Sequence, residues 1–206
     1  MAVFLGTLGF GQAITPGVKF GINYATLAGA DVRNPTTQSI TTLNAGVFAT
    51  FHVGSLFDIQ PEVLYTRKGC KASADEEFFF GMNLHIEQTG TISYLEIPVL
   101  LKLNIPFLSN SIIRPVVFVG PAVSFVLKSK VELEINGESA PEQQFSDLNS
   151  SDFGVVFGAG MDFTFLSAIT ISLDARYDLG LQSINTSSNQ KDIRNRVMAI
   201  TAGIGF

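Results

Sequence analysis

Val18-Lys19-Phe20-Gly21-Ile22-Asn23-Tyr24 alternates without a break: every second residue is apolar, and lysine, glycine and asparagine stand between. A period of two sends successive side chains to opposite faces of a strand. A long apolar face backed by a polar or glycine face suits a sheet closed into a cylinder, with lipid outside and a polar lumen. The same rhythm returns along the chain. It predicts strands at about 16–26, 43–53, 57–69, 91–104, 113–128, 152–165, 169–177 and 195–206. Each is near or somewhat above the ~9–11 residues that cross a bilayer at a tilt. Leu43, Val47, Phe51, Ile97, Leu101, Phe153, Phe157, Leu173, Ile200 and Ile204 are placed on the lipid face. Asp58, Gln60, Glu62, Thr66, Lys68, Glu96, Lys102, Asp174 and Arg176 are placed on the inner one.

The connections carry a second signal. Those after the second, fourth and sixth strands are short: Gly54-Ser55-Leu56, residues 105–111, and Leu166-Ser167-Ala168. Those after the first, third, fifth and seventh are long, polar and read as irregular. Outer-membrane barrels sort their connections this way, with turns on the periplasmic side and loops outside. The reading is therefore all-β: an eight-stranded antiparallel up-and-down transmembrane β-barrel over residues 14–206.

Composition agrees. The 206 residues are 46% apolar with a mean hydropathy of +0.32, yet no run supplies the ~20 apolar residues of a membrane helix. The best run, 115–127, is interrupted by Pro115, Gly120, Pro121 and Ser124. Nineteen glycines and eighteen phenylalanines favour strands and turns. A net charge of −5, with no basic stripe, argues against nucleic acid as a partner. One cysteine, Cys70, excludes an intrachain disulfide and reads as a free thiol. Residues 1–13 read as a signal-peptide remnant, with an apolar stretch at 3–10 and small residues at the cleavage offsets of Gly11-Gln12-Ala13.

Outward aromatics gather at strand ends, with Tyr24, Tyr65, Phe125, Phe153 and Tyr177 on the outer side and Phe57, Phe165 and Phe206 on the periplasmic side. Such girdles mark the two interfaces of a bilayer. Arg33, Arg67, Lys68, Lys71, Lys128, Lys130, Lys191, Arg194 and Arg196 fall at the outer rim or loops, within reach of lipopolysaccharide phosphates. Pro61, Pro98, Pro115 and Pro121 interrupt strands and call for bulges or edge-like pairing.

The inward charges are the candidate site: Lys19, Glu62, Glu96, Lys102, Arg114, Asp162, Asp174 and Arg176. The interior of an eight-stranded barrel is just filled by side chains, and unpaired charge away from water is costly. These residues are expected to pair into an ionic plug centred on Glu62, Glu96 and Arg176, with a narrow ion path as the rival. His85, in the second long connection, with Glu87 and Ser93 lacks a nucleophile signature such as G-x-S-x-G, and His52 lies near the inner end of the second strand. Asp75-Glu76-Glu77, and Glu132, Glu134, Glu138 and Glu142, lack the ligand spacing of a cation site. No catalytic residues, cofactor or metal are expected.

Several segments resemble the PorT-like outer-membrane β-barrel family of Bacteroidetes. They are Gln60-Pro61-Glu62-Val63-Leu64-Tyr65 through Lys68-Gly69, Tyr94-Leu95-Glu96-Ile97-Pro98 through Lys102, and Arg114-Pro115 through Gly120-Pro121. Leu173-Asp174-Ala175-Arg176-Tyr177 with Gly180-Leu181, and Asn195-Arg196-Val197 through Gly203-Ile204-Gly205-Phe206, continue the pattern. The resemblance spans essentially 14–206. It implies a barrel inserted by the barrel-assembly machinery, with the terminal Phe206 strand as recognition signal. Some relatives are linked to protein secretion, so it implies no single activity. The expected role is a structural, assembly or surface-interaction protein of the outer membrane, in contact with lipid and lipopolysaccharide. The alternatives are a small porin-like channel and a soluble small-ligand-binding barrel. In the last, the apolar face would point inward and Glu62 and Arg176 would be exposed.

Overall fold

The computed structural model describes residues 14–29, 37–78, 82–106, 112–135, 138–139, 141, 148–165, 169–184 and 193–206. The strands are β1 (Ile14–Gly29), β2 (Thr37–Val53), β3 (Phe57–Phe78), β4 (Met82–Asn104), β5 (Ile113–Ile135), β6 (Glu138–Ser139), β7 (Ser151–Phe165), β8 (Ile169–Gly180) and β9 (Ile193–Gly205). The two-residue β6 pairs only with the outer end of β5. The other eight form one antiparallel ring, each pairing with the next, and β9 returns to β1 with Phe20 opposite Ala202.

Side-chain parity follows the alternation. Phe20 is 59% exposed and Leu173 49%, whereas Glu96 is 1% and Arg176 3% exposed. The apolar face thus looks away from the axis, which rules out a soluble barrel with an apolar interior. The aromatic ends also face outward: Tyr24, Tyr65, Phe125 and Phe153 on one side, Phe57, Phe165 and Phe206 on the other. Tyr177 is half-buried, its ring 5.4 Å from that of Phe157. The 54–56 turn opens on Gly54 at φ 75°, a left-handed geometry that glycine adopts without steric cost.

The structure differs from the sequence reading in three respects. The connection between the third and fourth strands is ladder, not irregular loop. β3 and β4 pair from Phe57↔Leu103 out to Phe78↔Met82, and β5 accompanies β4 as far as Ile86↔Ile135. From Tyr65 to Phe78 this leaf carries roughly 40 Å of strand, at about 3.3 Å per residue. Secondly, the prolines shift no register. Pro61↔Val99 keeps the alignment of Phe57↔Leu103 and Leu64↔Glu96, and Pro115↔Met161 and Pro121↔Val155 share one alignment of β5 with β7. Pro98↔Ala122 likewise keeps the alignment of Leu95↔Phe125 and Leu101↔Val119. Each proline forfeits a donor without sliding its strand. The irregularities lie nearer the outer end, between Ser39 and Asn44 and between Ser93 and Tyr94. Thirdly, part of the inner wall is apolar: Leu100, Val116, Phe118, Ala122 and Val156 form one buried cluster. Residues 1–13 lie outside the described residues.

Candidate functional site

The strands stack the inward polar side chains in tiers along the axis. At the periplasmic end, His52 Nδ1 and Asp58 Oδ1 are 2.7 Å apart, and Thr15 Oγ1 lies 3.2 Å from His52 Nε2. Asn104 Nδ2 donates to Asp58 at 3.1 Å. Arg114 stands 3.2 Å from Asp162 and 4.0 Å from Asp58, while Lys102 stands 3.3 Å from Asp162. Asp58 is thus shared by an imidazole, an amide and a guanidinium, an arrangement that compensates its charge.

The middle tier is the most buried. Lys19 Nζ donates to Glu62 at 2.8 Å and to Asp174 at 2.9 Å. Arg176 Nη1 donates to the other Glu62 oxygen at 2.9 Å, and Gln60 adds a bond at 2.6 Å. Above it Lys68 is ion-paired with Glu96, which also accepts from Ser124 at 3.2 Å. Asn195 then donates to Asp152 at 2.8 Å and to the Tyr94 hydroxyl at 3.1 Å.

Of the eight charges expected inside, seven are buried and Arg114 is half-buried at the periplasmic end. Glu62 and Arg176 meet directly, whereas Glu96 belongs to the tier above. Sequence reasoning left Asp58, Lys68, Asp152 and Asp178 out of this set, although parity marks them. Asp58 and Lys68 share the even positions of Glu62, and Asp178 continues Asp174 and Arg176. Lys68 therefore does not belong with the rim cations: it is buried and cannot reach lipopolysaccharide. Among the described residues, seven buried carboxylates (Asp58, Glu62, Glu96, Asp152, Asp162, Asp174, Asp178) face four buried cations, Lys19, Lys68, Lys102 and Arg176.

Arg67, Lys128, Arg194 and Arg196 are exposed at the outer end. Arg67 Nε donates to the Tyr65 hydroxyl at 3.0 Å, which donates onward to Ser93 at 3.1 Å. Lys71 lies in the leaf, 2.7 Å from Glu87, and its hydrogen bond holds the Glu87 carboxyl below the usual range. Lys130 is half-buried. Arg33 and Lys191 lie outside the described residues.

His85 and Glu87 are 3.4 Å apart and exposed, but Ser93 is not with them. Eight residues of extended strand, about 26 Å at ~3.3 Å per residue, separate His85 from Ser93. Glu132 and Glu134 are exposed on β5, and Glu138 pairs through its backbone with Ile135. The side chains of Asp75, Glu76 and Glu77, and all of Glu142, lie outside the described residues. Among the described residues no three metal-ligating side chains converge.

At the outer mouth the lining turns apolar. Ile92, Tyr94 and Ile184 pack together with Leu27, Val126, Leu148 and Ile193 around them. Cys70 is half-buried beside this cluster on the continuing β3, so it does not end a strand.

The family model for the outer membrane protein beta-barrel domain matches residues 10–185. The chain belongs to that family. Solved structures similar to this family member include Ail, the attachment invasion locus protein of Yersinia pestis, in complex with the heparin analogue sucrose octasulfate. It is 14% identical, with 94% of this chain and 99% of that one covered and a TM-score of 0.44. Neisserial surface protein A is 13% identical (94% and 99% covered, TM-score 0.43). OprG of Pseudomonas aeruginosa is 13% identical (93% and 92% covered, TM-score 0.45). No curated protein matches in sequence. As a member of this outer-membrane family with lipid-facing apolar parity, the chain is an integral outer-membrane protein.

Proposed function

We propose that this barrel is a closed anchor, not a conduit or a catalyst, and that it works as a structural or surface-interaction protein through its outer end. The observation that supports this most is the succession of ion-paired tiers across the lumen, from Asp58 through Glu62 to Glu96. The interior of an eight-stranded barrel is narrow enough for side chains to fill, and paired charges at these distances fill the path that a solute would need. The PorT-like motifs support placement in that branch of the family. The exposed Phe206, at the end of β9, is suited to be read by the barrel-assembly machinery. Residues 1–13 are taken as a signal remnant. Arg67, Lys128 and Arg196, beside the outer aromatics, are suited to lipopolysaccharide phosphates.

In planar bilayers the purified barrel is expected to give no stable, reproducible conductance; steady open channels would overturn the closed lumen. In cells, deletion is expected to alter the surface-exposed protein set while leaving the secreted set intact. Loss of secreted proteins, restored by the full chain, would reject the surface role in favour of a secretion-linked one.

A further inference from the structure

We propose that the outer mouth of the barrel is a binding site for a small apolar molecule, of the size of a substituted benzene or the end of an alkyl chain. The mouth holds a partly open cavity of about 190 Å³ whose lining includes Leu27, Cys70, Ile92, Leu148, Ile184 and Ile193. Engineered apolar cavities of ~150 Å³ stay dry and take up benzene, so this one has both the size and the lining to hold such a ring. Lining atoms that face a void forgo the contacts that a ligand would restore.

A floor and a tied wall are already in place. Below, Asn195 bonds Tyr94 and Asp152, and Lys68 pairs with Glu96, so a molecule that enters meets a polar barrier it cannot cross. Along the wall, the backbone bonds neighbouring strand ends together. Asn149 N donates to Ile184 O at 2.9 Å, Ile184 N donates to Ile193 O at 2.9 Å, and the Asn149 side chain donates to Ser183 O at 2.8 Å. A site organised before its ligand arrives loses little ordering entropy on binding. The inference deepens the surface-interaction reading by naming a ligand class. Conductance and ligand binding are read separately, so either can fail alone.

The test is a toluene titration of the full chain in lipid nanodiscs, with isoleucine methyl groups labelled for NMR. Saturable shifts are expected at Ile92, Ile184 and Ile193. Ile22 and Ile200 face lipid and should move only linearly as toluene enters the bilayer. Ala72→Phe, which fills the cavity from its wall, is expected to abolish the saturable phase. Should that variant not fold, alkylation of Cys70 with N-ethylmaleimide in the wild-type barrel fills the same space. It is run at mildly alkaline pH because burial pushes the thiol pKa up. Linear shifts throughout, or saturation that survives a filled cavity, would overturn the site.

Discussion

Glu62→Gln is expected to lower the barrel's unfolding free energy by about 3–5 kcal/mol, the range for breaking a buried ion pair from one side. The substitution keeps shape and removes charge. Lys19 would be left with Asp174 alone, and Arg176 with Asp178, whose nearest oxygen is 3.7 Å from the guanidinium Nε. Urea titration in lipid vesicles, read by heat-modifiable gel mobility, measures the effect. Asp178→Asn is the matched control and should be neutral or slightly stabilising. Its Oδ1 has no hydrogen-bond partner, and carboxylates outnumber cations among the described buried residues. Equal losses from both changes would contradict the view that Glu62 is the hub of the network.

Leu173→Arg should cost about 2–4 kcal/mol in the same titration, the penalty for a guanidinium at the bilayer midplane on the lipid face of a barrel. Leu173 is the third of six outward positions on β8, from Ile169 to Leu179, and it is 49% exposed. Leu181→Arg, just past the end of β8, should cost ~0–1 kcal/mol because the penalty fades near the interface. A depth profile of this kind has no counterpart in a soluble barrel, where an exposed leucine changed to arginine would be neutral. If both variants unfolded with wild-type midpoints, Leu173 would not be facing lipid.

The barrel itself was legible because lipid enforces parity. Wherever a strand crosses the apolar layer, its outward residues must be apolar, and the eight crossings follow from that rule. The rule ends where the membrane ends. Beyond Tyr65 the outward positions of β3 are Arg67, Gly69 and Lys71, so the alternation fades although the backbone pairing continues to Phe78. The sequence of the leaf therefore reads as loop. β5 loses the alternation within the layer instead. Val116, Phe118 and Ala122 line the lumen while Val117, Val119 and Val123 face lipid, so both faces are apolar there and the inward side is not marked by polarity. Pairwise charge geometry was only partly visible. Parity says that Lys19 and Glu62 both point inward, but not that they meet, because that depends on register and tilt. The mouth cavity had no local signal, since β1, β3, β4 and β9 bring its walls from distant parts of the chain.

The bond between Lys19 and Asp174 joins groups 155 residues apart. Its partners come from the first strand and the penultimate one, so this ammonium meets that carboxylate only once the two termini of the sheet have zipped together. Until then the lysine has at most Glu62, and a half-made cylinder entering the bilayer would carry charge with incomplete compensation. Lipid would resist such a species, because an ion stripped of water without its counterpart is penalised by several kcal/mol (roughly). Compensation of this one lysine thus arrives together with circular completion, so the seam ties charge pairing deep in the wall to closure of the cylinder.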